Sequence, residues 1–143
     1  MKSKLKRQIL TNNCRMILCT LMPPEAKVAV IEDMKDWQDE FALLLPEAGH
    51  SVVGAATTVP EARSLIPKMG ELGVQVVILD GNLSPEAWDG SEGRILATEI
   101  IQIYPEIKII GFTRDERGLK GAHVDMNKAD YDGNMLNELI TSL

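Results

Sequence analysis

Three apolar runs of the chain end on groups that can do chemistry: "KVAVI" runs into Glu32 and Asp33, "VQVVIL" into Asp80, Gly81 and Asn82, and "IKIIGF" into Thr113. Lys128 follows the less apolar stretch "AHVDM". Carboxylates brought close together raise one another's pKa unless a cation lies between them. Magnesium meets that need, because it takes oxygen ligands, keeps several waters, and pairs with one or two carboxylates and a phosphate. With the cluster neutralised, a carboxylate can attack phosphorus as a nucleophile and give an acyl phosphate. Charge developing on the phosphoryl oxygens then calls for donors, and the Lys128 ammonium and Thr113 hydroxyl are of the right type. A single Asp after an apolar run is more often a helix cap or a solvated loop residue. The combination carries the weight.

Positioning these groups requires an alternation of strands and helices. Lys27 to Ile31, Ser51 to Ala55, Val74 to Leu79 and Ile107 to Phe112 are short and rich in Val and Ile, as buried parallel strands are. A fifth strand is expected at Ala122 to Met126, although its composition is poor. Trp37, Phe41, Leu44, Leu45 and Ala48 fall at offsets 0, 4, 7, 8 and 11, one face of a helix that Pro46 should kink or end. Thr58-Val59-Pro60-Glu61 reads as a capping box with Pro in the first turn, opening a helix closed by Pro67 and Gly70. Leu96, Ile100 and Ile103 mark a third helix, and Leu136, Leu139, Ile140 and Leu143 a last one begun at Asp132; these apolar positions are read as core. The alternation predicts a doubly wound parallel sheet with helices on both faces. Sites in such sheets form at the carboxyl ends of strands, near the switch in strand order.

The 143 residues suffice for one core. Net charge is -6 and uneven: residues 1 to 24 hold Lys2, Lys4, Lys6, Arg7 and Arg15 with no acid, leaving ten basic against 21 acidic residues in the body. Such a body lacks the clustered cations of a nucleic-acid groove and suits a cation or a partner with a basic face. Residues 1–26 read as a flexible basic extension and 27–143 as the domain. No apolar run is long enough to span a membrane. Asn12, Asn13 and Arg15 interrupt the apolar part of the head, which has no small-residue cleavage site and so is not read as a signal peptide. Both cysteines, Cys14 and Cys19, lie in that head, so neither a disulfide framework nor a zinc site is implied, and a cytoplasmic location fits. His50 and His123 have no metal-ligand company and read as structural.

"VIED" (Val30 to Asp33), "VVILDGNL" (Val76 to Leu83), "IIGFT" (Ile109 to Thr113) and the Lys128 after "GAHVDMN" stand in an order that resembles the receiver domain of bacterial response regulators. The resemblance covers residues 27 to 143. It implies a CheY-like, flavodoxin-like five-stranded sheet of order 2-1-3-4-5. By the same resemblance Asp80 is the phospho-acceptor, and Glu32, Asp33, Asp80 and the backbone carbonyl of Asn82 hold Mg²⁺. Thr113 is the switch hydroxyl, and Lys128 pairs with the phosphoryl group. The donor is a sensor histidine kinase or phosphotransfer protein, and the output a contact with another protein, without direct nucleic-acid binding. With the chain ending at its fifth helix, a stand-alone module is expected, with covalent self-chemistry and no turnover of a metabolite.

Several positions depart from the family pattern. Pro85 lies five residues after Asp80, not four, and Asp89-Gly90 arrives late behind Trp88, so the loop after the third strand is lengthened. Trp88 is expected to fold back on its own domain, with a partner contact as the alternative. Arg114 replaces a small residue, and either screens the phosphoryl group or is solvated. Asn82 and Asp115 occupy positions that in the family tune phosphate loss, so Asp115 is expected to orient water and shorten the phosphoryl state. Asp125 stands where an aromatic switch residue is usual, and Ala129 replaces a proline. Only 14 residues separate Thr113 from Lys128, whereas a helix, a strand and two loops need roughly 20. The fourth helix is therefore expected to be shortened or lost. Two further readings stand beside the active receiver. One is a receiver-like interaction scaffold that no longer switches. The other is a phosphatase of the haloacid dehalogenase type, which needs a second Asp two residues after the nucleophile, where Asn82 stands.

Overall fold

Branched Val and Ile side chains pack best on a pleated surface covered on both faces. The runs that carry them form β1 (Lys27–Ile31), β2 (Ser51–Ala56), β3 (Val76–Leu79) and β4 (Lys108–Thr113). With β5 (Val124–Asn127) they make one parallel sheet in the order β2-β1-β3-β4-β5. This computed structural model describes residues 25–143, so the expectations for the basic head and its two cysteines lie outside the described residues. β5 begins two residues later than expected because His123 replaces a ladder position. Its N–H donates to the Ile109 carbonyl (2.9 Å) and its Nδ1 accepts the Ile109 N–H (2.9 Å).

Alternate strand residues build two cores. Ala29, Ile31, Val77, Leu79 and Ile109 face one layer of helices; Val28, Val30, Ile78, Ile110 and Phe112 face the other. The second layer holds α1 (Lys35–Glu47), which buries Phe41 and Leu45, and α5 (Gly133–Ser142), which buries Leu136 and Ile140. Pro46 falls in the last turn of α1, one residue before its end. The Asp132 carboxylate opens α5, accepting the N–H groups of Asn134 (2.8 Å) and Met135 (3.2 Å).

The first layer departs from expectation in two places. The Thr58 hydroxyl caps α2 (Val59–Leu65) by accepting the Glu61 N–H, but Glu61 reaches back to the N–H and hydroxyl of Thr57, not to Thr58. The chain then passes Pro67 in a 3-10 turn (Ile66–Lys68) into α3 (Met69–Leu72), closed by Gly73 at φ 69° and not by Gly70. In α4 (Ser91–Ile103), Leu96, Ala97 and Ile100 are buried, whereas Ile103 is 57% exposed; Leu143, past α5, is exposed too.

Residues Arg114 to His123 contain no helix at all. The expected shortening of the β4–β5 crossover helix has gone to completion, and tight turns at Gly118 and Gly121, both with positive φ, take its place. Leu119 is 5% exposed and packs into the same core as Leu96 and Ala97, covering the sheet where a helix would.

Candidate functional site

Register decides which side chains meet. Leu79 pairs with Ile31 on one side and Gly111 on the other, so the next residues, Glu32 and Asp80, leave the sheet as neighbours. Thr113 pairs with Asn127, which puts Lys128 just past the same rim. Gln38 of α1 ties down the end of β1, its Nε2 donating to the carbonyls of Glu32 and Ala56 at 3.0 Å each. On the other side α4 presses against the loop after β3. A Cβ on Gly93 would stand 2.5 Å from the Asp80 carbonyl oxygen, and the Gly93 N–H donates to Gly81.

The five groups expected to act together do meet. The Lys128 ammonium lies 2.8 Å from Glu32 Oε2 and donates to Asp80 Oδ2 at 3.0 Å. Its side chain is only 7% exposed, and it stands 5.3 Å from the Phe112 ring centre. Glu32 Oε1 accepts the Met34 N–H, and Asp80 Oδ1 accepts the Asn82 N–H. Glu32, Asp33 and Asp80 offer carboxylate oxygens all within 4.8 Å of one another. Thr113, 6% exposed, lines the same open cleft as Asp33, Asp80 and Lys128.

One ammonium does not neutralise three carboxylates. Burial, then the charge of Asp80, pushes the Glu32 carboxyl up to about 8 against the opposing pull of Lys128. Burial also raises Asp80, opposed by Lys128 and reinforced by the Asp33 carboxyl. Glu32 Oε2 is buried without an aligned hydrogen bond; its short approach to Lys128 is a charge contact only. A hard divalent cation fits this donor set, which is all oxygen, over-charged and open to the cleft through the exposed Asp33.

The surrounding positions divide. The Thr113 hydroxyl oxygen accepts the Asp115 N–H (3.2 Å), which leaves its proton free to donate. The Asp115 carboxylate is held in a fork by Arg117 Nε (3.0 Å) and Nη2 (2.9 Å) and accepts the Arg117 N–H as well, so Asp115 is engaged by Arg117 and held down at about 2. The Asn82 carboxamide oxygen accepts the Gly90 N–H (2.9 Å), fastening the lengthened loop. Trp88 does not fold back: it is 85% exposed. Arg114 is exposed and lines the cleft. Asp125 accepts the Leu119 N–H (2.8 Å) and lies against Gly111 and Gly118, anchoring the crossover in place of an aromatic ring. His50 is structural: its Nδ1 accepts the Ala26 N–H and its Nε2 meets Asn137 Oδ1 at 2.6 Å.

Sequence reasoning passed over Gln38, Glu92 and Gly93. Glu92 Oε1 accepts the N–H groups of Leu83 and Ser84 and the Ser84 hydroxyl. Neither Gln nor Glu near a helix start is distinctive; only Gly93, a glycine early in a helical pattern, carried a signal of close approach.

No protein-family model matches the chain, and no curated protein does. Solved structures do. The chain is similar to the response regulator PhyR from Brucella abortus, with 27% identity over 82% of this chain and 46% of that one and a TM-score of 0.66. It is similar as well to the PhyR receiver domain from Erythrobacter litoralis (23% identity, 82% and 88% covered, TM-score 0.67). A third likeness is to a CheY-like receiver domain protein from Methanospirillum hungatei JF-1 (21% identity, 82% and 92% covered, TM-score 0.67). The chain spans less than half the length of the Brucella protein. Its structural neighbours are response-regulator receiver domains, and its sheet has their CheY-like architecture. Among the described residues no helix is long and apolar enough to cross a membrane.

Proposed function

We propose that residues 27–143 are a phosphorylatable receiver whose Asp80 accepts a phosphoryl group from a histidine kinase or phosphotransfer protein and which signals by contact with another protein. The observation that carries this reading is the Lys128 ammonium set between the buried carboxylates of Glu32 and Asp80, with Asp33 beside them. In the transfer, an Asp80 carboxylate oxygen attacks phosphorus, the bond from phosphorus to the donor's imidazole nitrogen breaks, and that nitrogen keeps the electron pair. Lys128, already donating to Asp80 Oδ2, follows the charge onto the phosphoryl oxygens. Thr113, with its lone pair engaged by the Asp115 N–H, has its own proton to give. Glu32, Asp33, Asp80 and the Asn82 carbonyl would hold Mg²⁺, which supplies charge neutralisation at the phosphoryl group. The chemistry is covalent self-modification and its reversal, not turnover of a metabolite, and a cytoplasmic setting suits it.

Incubation with Mg²⁺ and acetyl phosphate, followed by intact mass, tests this directly. A phosphoryl adduct on the wild type, absent from Asp80→Asn, is expected. No adduct from acetyl phosphate or any charged kinase would leave the second reading, a scaffold that no longer switches. The helix-free crossover and Asp125 at the aromatic position favour that reading.

A further inference from the structure

The loop from Leu83 to Gly90 combines an exposed tip with a fastened backbone. Its tip carries Trp88, 85% exposed, the most exposed large apolar side chain among the described residues. Its backbone is nevertheless pinned. Glu92 takes three donors from Leu83 and Ser84, the Ala87 N–H donates to the Ser84 carbonyl, Asn82 takes the Gly90 N–H, and Asp89 takes the Ser91 N–H. A loop fixed in this way presents its tryptophan with little ordering entropy left to lose on binding.

The position is equally specific. Trp88 lines the cleft over Asp80 together with the half-exposed Met34 and with Arg114 and Arg117. Of the five basic residues that line this cleft and the one adjoining it, Lys128 is buried against Glu32 and Asp80 and Arg117 is paired with Asp115, while Arg94, Arg114 and Lys120 are exposed and make no ion pair among the described residues; Asp33 and Asp89 stand on the same walls. Exposed Trp and Arg at the mouth of a site are the residue types that dominate binding energy in protein interfaces. A small phosphodonor can reach Asp80 without touching this rim. A protein that brings a phosphohistidine to Asp80 must lie on it.

We infer that the Trp88 loop is a docking surface for the phosphoryl-donor protein, whose matching face is an apolar spot for Trp88 with an acidic side chain opposite Arg114. The inference rests on the acceptor reading of Asp80, and two kinds of donor separate the two. The full chain is offered acetyl phosphate, and in parallel a panel of ATP-charged histidine-kinase cores and phosphohistidine-bearing phosphotransfer domains. The panel member fastest on wild type is expected to lose about tenfold or more in transfer rate on Trp88→Ala, with partial recovery in Trp88→Phe. Acetyl phosphate should label all three within about twofold. Glu92→Ala, which unpins the loop but keeps the tryptophan, should fall between. In a Trp37→Phe background the emission of Trp88 should move to the blue when that donor is added. Equal transfer to wild type and Trp88→Ala overturns the inference, as does an equal loss with acetyl phosphate or a Trp88-dependent self-association without any change in transfer. Labelling by acetyl phosphate with no transfer from any panel member also overturns it while leaving the acceptor reading intact. No labelling from any source removes the acceptor reading itself.

Discussion

Along one rim of the sheet, two neighbouring regions are held together in opposite ways. At the ends of β1 and β3, side-chain charges do the work: Glu32 and Asp80 are buried, share one ammonium, and have little room to move because Gln38 and Gly93 fix the backbone on either side. In the β4–β5 crossover the backbone does it: turns at Gly118 and Gly121, one buried leucine and one carboxylate bond to Leu119 replace a helix. The first arrangement has little tolerance for a change in residue type, since one ammonium stands 2.8 Å from Glu32 and 3.0 Å from Asp80. The second has been rebuilt without displacing Thr113 or Lys128 at its two ends. A site needs a few atoms in fixed places, whereas a contact face needs only a surface, and in this sheet the crossover is rebuilt while the side chains at the strand ends stay together.

The largest effect that would sharpen this contrast is Lys128→Ala. It leaves buried carboxylates without a counter-charge and should destabilise the metal-free protein by about 3–5 kcal/mol at pH 8. The loss should shrink at pH 5, where Glu32 is protonated, and urea melts at the two pH values measure it. Next come two glycines. Gly93→Ala forces a Cβ to within 2.5 Å of the Asp80 carbonyl oxygen and should cost about 1–3 kcal/mol and slow acetyl phosphate labelling. Gly111→Ala collides with Asp125 and Leu119 and should be as destabilising yet leave labelling unchanged. If both slowed labelling alike, the two regions would be one unit.

Asp125→Ala strands the Leu119 N–H and should cost about 1–2 kcal/mol with no change in labelling rate. The acidic cluster predicts a pH-dependent effect, read as a thermal midpoint. Glu32 binds its proton more tightly folded than unfolded, so between pH 4.5 and about 8 the native state carries the extra proton. Stability without metal should therefore fall as pH rises through that window. Added Mg²⁺ should raise the midpoint by several degrees at pH 8 and by less at pH 5; the same increment at both would break the assignment of the cluster as a cation site. The smallest expected effect concerns phosphate loss. Because Arg117 engages Asp115, Asp115→Ala should change the adduct's half-life little, while Arg117→Ala, which frees the carboxylate, should shorten it.

The sequence reading succeeded where the signal is local. Val-rich runs ending in Glu32, Asp80 and Thr113 marked both the strands and the rim, because burial and charge change sharply at one residue. The 14 residues between Thr113 and Lys128 are too few for a full helix as well as a strand and two loops. Contacts between distant residues were not legible. Nothing near Asp125 announces a bond to Leu119, and nothing near Asn82 announces one to Gly90. The α-helix after Thr58 ends at Leu65, just before Pro67 as its sequence suggests, but nothing local marks the 3-10 turn and the short helix that follow, or their close at Gly73 and not Gly70. A loop tryptophan ordinarily turns inward, and nothing in the sequence around Trp88 marks the pinned loop that holds it out.

The helix-free crossover has a consequence for how the molecule folds. Ten residues separate β4 from β5, against 19 between β1 and β2 and 28 between β3 and β4. Closing a loop of that size takes on the order of 10–100 ns, and its entropy is the lowest of any strand pairing in the sheet. The β4–β5 pair is thus the most local contact of an otherwise long-range topology. Substitutions at Asp125 and Leu119 are expected to slow refolding more than they speed unfolding, a signature of an edge that forms early.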